Sequence, residues 1–196
     1  DRLRSRGLGD VYKRQIYFFG QKMNEKNRLS ILRNTGSLIE SPSFYGHLTG
    51  LENLQIVAKL KKVSASEIEK VLHTVRLYDQ RNKQVKQYSL GMKQRLGIAM
   101  ALLGNPKVLF LDEPTNGLDP AGIQEIRELI RNLPITHQMT VIVSSHLLNE
   151  VEQMADMVGI IHHGSLIYQG TMESLKSQGN DLEEVFLELT GGLETL

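Results

Sequence analysis

The chain has 196 residues, a formal net charge of +1 and no cysteine, which excludes disulfides and thiolate metal sites. Its 40% apolar content suffices for the core of one ordinary domain. The longest aliphatic runs, VLFL and IAMALL, fall far short of the roughly 20 residues that cross a bilayer, so a soluble chain is expected.

Residues 1–15, DRLRSRGLGDVYKRQ, hold five basic residues against two acidic ones and leave the rest slightly acidic. They contain neither the apolar core nor the cleavage site of a secretory signal. A basic arm of this kind could bind nucleic acid or anionic lipid, but with no methionine at its start it reads as a non-native tail, and the fold proper is taken to begin at Ile16. IYFF at 16–19 reads as a strand ended by Gly20. A polar helix-like stretch follows at 25–33, then a short strand, SLI at 37–39, broken by Ser41 and Pro42.

From Thr49 to about Lys61, Leu51, Leu54, Val57, Ala58 and Leu60 recur at helical spacing. Ser66 to Leu77 repeats the pattern with Ile68, Val71, Leu72 and Val75, and Ser66 with Glu69 fits a capping box. Ser89-Leu90-Gly91 opens a further helix with Met92, Leu96, Ala99, Leu102 and Leu103 on one face. Such a helix start presents unpaired N–H groups and a positive dipole end to an anion. Met92, Met100 and Met154 fall on helices and read as core filler.

Beyond Pro106 the texture changes. The runs VLFL, TVIV at 140–143, VGII at 158–161 and LIY at 166–168 alternate with helical stretches at about 120–133 and 147–155. Runs apolar throughout predict strands buried on both faces. His163-Gly164 reads as a hairpin turn, with His162 and His163 pointing apart on the pleat. Residues 183–192, EEVFLELTGG, read as a closing helix with Val185, Phe186 and Leu189 inward. The predicted class is α/β: a core of residues 16–43 and 105–196, with residues 44–104 as an inserted helical subdomain.

The chemistry concentrates in KVLFLDEPTNGLDP, residues 107–120. A buried strand that delivers Asp112 and Glu113 at its C-terminal end puts them on the rim where α/β sheets bind ligands. One acid then suits the water shell of Mg²⁺ and the next an attacking water. His146 stands just past another strand, in VSSH.

Together, Glu40, the run Ser89-Leu90-Gly91-Met92-Lys93, Asp112-Glu113-Pro114, Gly117-Leu118-Asp119 and His146 resemble the ATP-binding cassette ATPases. The signature motif, usually LSGGQ, stands here as YSLGMKQ, the Walker B strand as KVLFLDEP, the D-loop as NGLDP and the switch histidine as His146. The resemblance implies a P-loop NTPase, RecA-like core and an ATPase that uses ATP and Mg²⁺. Glu113 would be its catalytic carboxylate, His146 its γ-phosphate sensor, and Asp112 and Glu40 its metal-side acids. Ser89 and Gly91, with Met92 and Lys93 in the same turn, would face the nucleotide of a second copy in a head-to-tail dimer, with Asp119 linking the two sites.

It further implies a transmembrane permease as partner, docked near residues 41–54, no nucleic acid, and a cytoplasmic place on the inner face of the membrane. Leu90 and Met92 depart from the consensus glycines. Glu40 stands where most members have glutamine; this segment resembles the bacitracin and lantibiotic exporters, which carry a glutamate there. The alternative is a soluble cassette ATPase acting on nucleic acid or ribosomes. The single cassette, the 48 residues between Glu40 and Ser89 and the lack of sustained heptads speak against it.

No GxxxxGK[ST] phosphate loop occurs in the 196 residues, and the expectation is that it lies upstream of Ile16 together with a strand of the sheet, leaving apolar edges and poor solubility. Three or four charge-assisted hydrogen bonds at about 1.5–3 kcal/mol each amount to roughly 5–12 kcal/mol, against about 8 kcal/mol for a micromolar site. The chain alone is therefore expected neither to bind nor to hydrolyse ATP measurably. Saturable binding at millimolar affinity or better, by titration calorimetry on this chain, would contradict that.

Overall fold

The computed structural model describes residues 15–39, 43–177 and 182–191. Its centre is a three-stranded parallel sheet of β3 (Thr35–Leu38), β4 (Val108–Asp112) and β5 (Thr140–Ser144), in the order β3-β4-β5. Between β3 and β4 the chain makes α2 (Gly50–Lys61), α3 (Ala65–Thr74) and α4 (Leu90–Leu102), and between β4 and β5 it makes α5 (Pro120–His137). After β5 come α6 (Leu148–Met154), an antiparallel hairpin of β6 (Met157–His162) and β7 (Ser165–Thr171), then α7 (Met172–Lys176) and α8 (Leu182–Thr190).

β4 is the strand with a partner on both sides, and its Leu109 and Leu111 are buried. The expectation that every apolar run is buried on both faces fails for the others. Along β5 exposed and half-buried residues alternate, with Ile142 outward, and β6 and β7 leave Ile161 and Leu166 exposed. These strands have a packed face and a bare one, because among the described residues β5 is an edge and the hairpin is a separate sheet.

The N-terminal part also differs. The predicted strand over 16–19 is a small hairpin of β1 (Tyr17–Phe18) and β2 (Gln21–Lys22), turned by Phe19 and Gly20, both at positive φ, which is the backbone a two-residue turn requires. The helix expected from 25 begins later, as α1 (Arg28–Arg33). The Asn24 side chain first accepts from the N–H groups of Lys26 and Asn27 at 2.9 and 3.1 Å, holding those residues in a turn.

The capping box sits one helix earlier than expected. Thr49 Oγ1 accepts from Glu52 N at 3.1 Å and Glu52 Oε2 accepts from Thr49 N at 2.7 Å. The hydrogen bonds that the Glu52 carboxylate accepts from the Thr49 N–H and hydroxyl hold it below its usual value. Ser66 lies inside α3, whose N-cap is Ser64, and the two serine hydroxyls bond each other instead. α5 runs on to His137, a turn beyond the predicted 120–133, with Pro134 inside it and Leu133 buried in the core. The His163-Gly164 turn is present, with both residues at positive φ. The rings of His162 and His163 meet edge-on at 4.0 Å instead of pointing apart.

α4 is buried more completely than one apolar face provides: Leu96, Ile98, Ala99, Ala101 and Leu102 are all inside. Two contacts seat it. Lys61 Nζ donates to the carbonyls of Met100, Ala101 and Leu103 at 3.2, 3.4 and 2.8 Å, placing a cation at the negative end of the helix. Burial of that ammonium pulls the Lys61 pKa down. On the other side, a Cβ built on Gly36 would stand 2.4 Å from the Ala101 carbonyl oxygen. Gly36→Ala should therefore push α4 off β3 and destabilise the fold by about 1–3 kcal/mol, read as a fall in denaturation midpoint by urea or heat.

Candidate active site at the end of the parallel sheet

β4 and β5 end side by side, with Asp112 paired in register to Ser144. The Ser144 hydroxyl donates to Asp112 Oδ1 and accepts from Glu113 N at 3.0 Å, while the Ser144 carbonyl accepts from the same N–H at 3.2 Å. One serine thus holds both acids. Glu113 itself leaves the strand with φ +45°, in the left-handed region that disfavours a side chain. That turn sends its carboxylate to His146, whose Nδ1 lies 2.9 Å from Glu113 Oε2. Glu113 is about one-third exposed and His146 about two-thirds.

After Glu113 the chain makes tight turns, Asn116 N to Glu113 O and Leu118 N to Thr115 O, both at 3.1 Å, with Gly117 at φ +75°. It then enters α5 at Asp119. Asp119 Oδ1 accepts from Gly122 N at 3.2 Å as the N-cap, with Pro120 in the first turn. Thr115 and Glu150 are both buried, and the Thr115 hydroxyl donates to Glu150 Oε2 in α6.

The second expected cluster is the opening turn of α4. Ser89 is its N-cap and Ser89 Oγ accepts from Met92 N at 3.2 Å, while Lys93 N reaches Ser89 O at 3.0 Å. Gly91 completes that turn. It lies beside the turn at 117–119: a Cβ on Gly117 would meet Leu90 Cδ2 at 3.4 Å, and one on Gly91 would meet Leu118 Cδ2 at 4.0 Å.

The residues singled out in the sequence thus form two groups, Asp112, Glu113 and His146 in one, and Ser89, Gly91, Met92 and Lys93 beside Asp119's turn in the other. Glu40, Ser41 and Pro42 lie outside the described residues. Sequence reading missed Ser144 and the Thr115–Glu150 pair. The first was findable, since aligning the ends of VLFLD and TVIVS places Ser144 opposite Asp112; the second depends on how α6 packs. Among the described residues, no three histidine or acidic side chains cluster to hold a metal by themselves.

The family model described as "ABC transporter" matches residues 7–116. The chain is 45% identical over 170 residues to the bacitracin transport ATP-binding protein BcrA of Enterococcus faecalis, covering 86% of this chain and 55% of that protein. It is 43% identical over 180 residues to the lantibiotic transport ATP-binding protein SrtF of Streptococcus pyogenes, covering 92% and 75%. A solved structure described as the ATP binding subunit of an ABC transporter superposes with a TM-score of 0.70 at 28% identity, covering 87% of this chain and 74% of that one. The chain spans about half the length of the bacitracin transport protein it matches.

The left-handed backbone at Glu113 costs about 1–2 kcal/mol for a residue with a side chain. Glu113→Gly should relieve it and raise thermal stability by about 0.5–1 kcal/mol, although the contact with His146 is lost. A lower melting temperature for that variant would show that the contact outweighs the strain.

Proposed function

The chain belongs to the ABC transporter family, and on that premise we propose that it is part of an ATPase subunit that powers an exporter of antimicrobial peptides or antibiotics. The observation that carries the reading is the 2.9 Å contact of Glu113 with His146 at the rim of the sheet. A carboxylate placed there can take a proton from an attacking water, and the imidazole beside it can sense the terminal phosphate. Ser89 and Gly91 at the α4 N-terminus, with Met92 and Lys93 in the same turn, would bind the nucleotide of a second copy, and Asp119 would link the two sites.

The donors fit Mg²⁺. Asp112 offers a carboxylate with one oxygen fixed by Ser144, and Mg²⁺ takes oxygen ligands, one or two carboxylates with phosphates and waters supplying the rest. Asp112 would hold it through water, with Glu40 as a further acid, and the ion would neutralise charge on the phosphates. The partner would be a transmembrane permease, and the place the cytoplasmic face of the membrane. The names of the bacitracin and lantibiotic transport relatives support the exporter class. The placement of α2, α3 and α4 between β3 and β4 supports residues 44–104 as a helical subdomain within a core of 16–43 and 105–196. Because these 196 residues hold no GxxxxGK[ST] loop, hydrolysis would require a phosphate loop joined to this sequence.

The test is Glu113→Gln in a protein carrying this sequence together with a phosphate loop. The amide keeps the shape and a hydrogen bond to His146 but cannot accept a proton from water. kcat should fall by at least about a hundredfold with ATP affinity retained. Turnover at an undiminished rate would remove Glu113 from the chemistry.

A further inference from the structure

The catalytic reading leaves unexplained why Glu113 stays in a backbone conformation that its side chain disfavours. Such strain persists only where the surroundings over-determine it. On the strand side the holder is Ser144, which binds the Glu113 N–H through both its carbonyl and its hydroxyl. On the other side the nearest fixed point is Thr115, two residues on, whose hydroxyl is buried against Glu150.

Glu150 in turn lies in the first turn of α6, four residues after His146, and its N–H is bonded to Leu147 O at 3.0 Å. The segment from His146 to α6 is further tied by Leu147 N to Ser145 Oγ at 3.1 Å. Two side-chain contacts therefore close a ring: Glu113 with His146 on the exposed side, and Thr115 with Glu150 on the buried side.

The two contacts differ in what they can do. The outer one is partly solvated and made by long side chains, so it does not fix its own geometry. The inner one joins a short hydroxyl to a carboxylate that is 5% exposed, where an unmade hydrogen bond is costly and the alternative arrangements are few.

We propose that Thr115 and Glu150 are a positioning pair, which sets the distance between the 113–119 turn and the start of α6 and so holds Glu113 against His146. The proposal rests on the role given to Glu113 above. Neither residue touches the reacting atoms, and their effect passes through the placement of Glu113 and His146.

The test uses the protein that carries this sequence together with a phosphate loop, in its resting state, so it needs no turnover. Thr115→Val keeps the shape and removes the donor. It should move the His146 ring Cε1–H and Cδ2–H NMR resonances toward those of a Glu113→Ala chain and speed hydrogen exchange at the Glu113 amide about tenfold. The amides of Val108–Leu111 should speed up clearly less than that of Glu113, which a general loss of stability alone would not allow. Thr115→Ser, which restores the hydroxyl, should return both signals. Glu150→Gln retains a weaker acceptor and should give about a threefold change in exchange; it decides the matter if Thr115→Val does not fold. In the protein that carries a phosphate loop, Thr115→Val should lower kcat about tenfold with KM for ATP within about twofold. Unchanged His146 resonances and Glu113 exchange in the folded variants would overturn the pair's role. An active Glu113→Gln enzyme would instead sink the catalytic reading and leave the geometry standing.

Discussion

The site depends on the confinement of β4. With a partner strand along each edge and Leu109 and Leu111 inside, that strand has no room for a charge until it ends. The first position where carboxylates can stand is the C-terminal rim, and Asp112 and Glu113 occupy it. Burying an unpaired carboxylate costs several kcal/mol, so the junction between apolar strand and acidic turn is sharp. What remains is to aim two adjacent acids in different directions. In an extended strand successive side chains alternate faces. The left-handed step at Glu113 redirects the second acid toward His146 while the first keeps the Ser144 hydroxyl.

A second requirement is that α4 be held with its N-terminus beside the turn that follows the acids. It cannot be held by one apolar stripe, since several of its sides are buried. The close approach at Gly36 and the cap supplied by Lys61 both act at its C-terminal end. The N-terminal end is thereby left to meet the turn at Gly117 and Leu118 through Leu90 and Gly91. Ion pairs reinforce the same junction from the side, Arg95 with Glu125 at 3.4 Å and Arg76 with Glu128 at 3.6 Å. Both reach from the helical block to α5, whose N-cap is Asp119.

This division explains what could be read from the sequence. β4, the hairpin at His163-Gly164, α2 and the opening of α4 were legible because each rests on local chemistry: an apolar run, a turn residue at positive φ, or a hydroxyl before a helix. The acids and His146 were singled out through the family resemblance that their order along the chain carries, and the structure brings Glu113 and His146 together. The N-terminal hairpin was not, because IYFFG reads as a strand unless Phe19 is known to adopt the left-handed backbone beside Gly20. The capping box was misplaced because Ser66/Glu69 and Thr49/Glu52 carry the same pattern, and only the preceding backbone decides which forms. Thr115 and Glu150 were invisible because nothing local distinguishes a buried Glu150 from the half-buried Glu152 two residues on, which pairs with Lys176.

The side chains proposed to face a second copy are already engaged within the fold. Ser89 Oγ and Asp119 Oδ1 are each engaged in capping their own helices, which at first sight competes with the roles proposed for them across a dimer. It does not. A hydroxyl that accepts from Met92 N still has its proton to donate to a phosphate oxygen. A carboxylate with one oxygen on Gly122 N still has the other. Capping fixes the orientation of each group before a partner arrives, so less freedom is lost on binding. The helix starts would then serve the fold and the proposed seam with different atoms of the same side chains, so the capping seen at Ser89 and Asp119 leaves the proposed roles open to a single serine and a single aspartate.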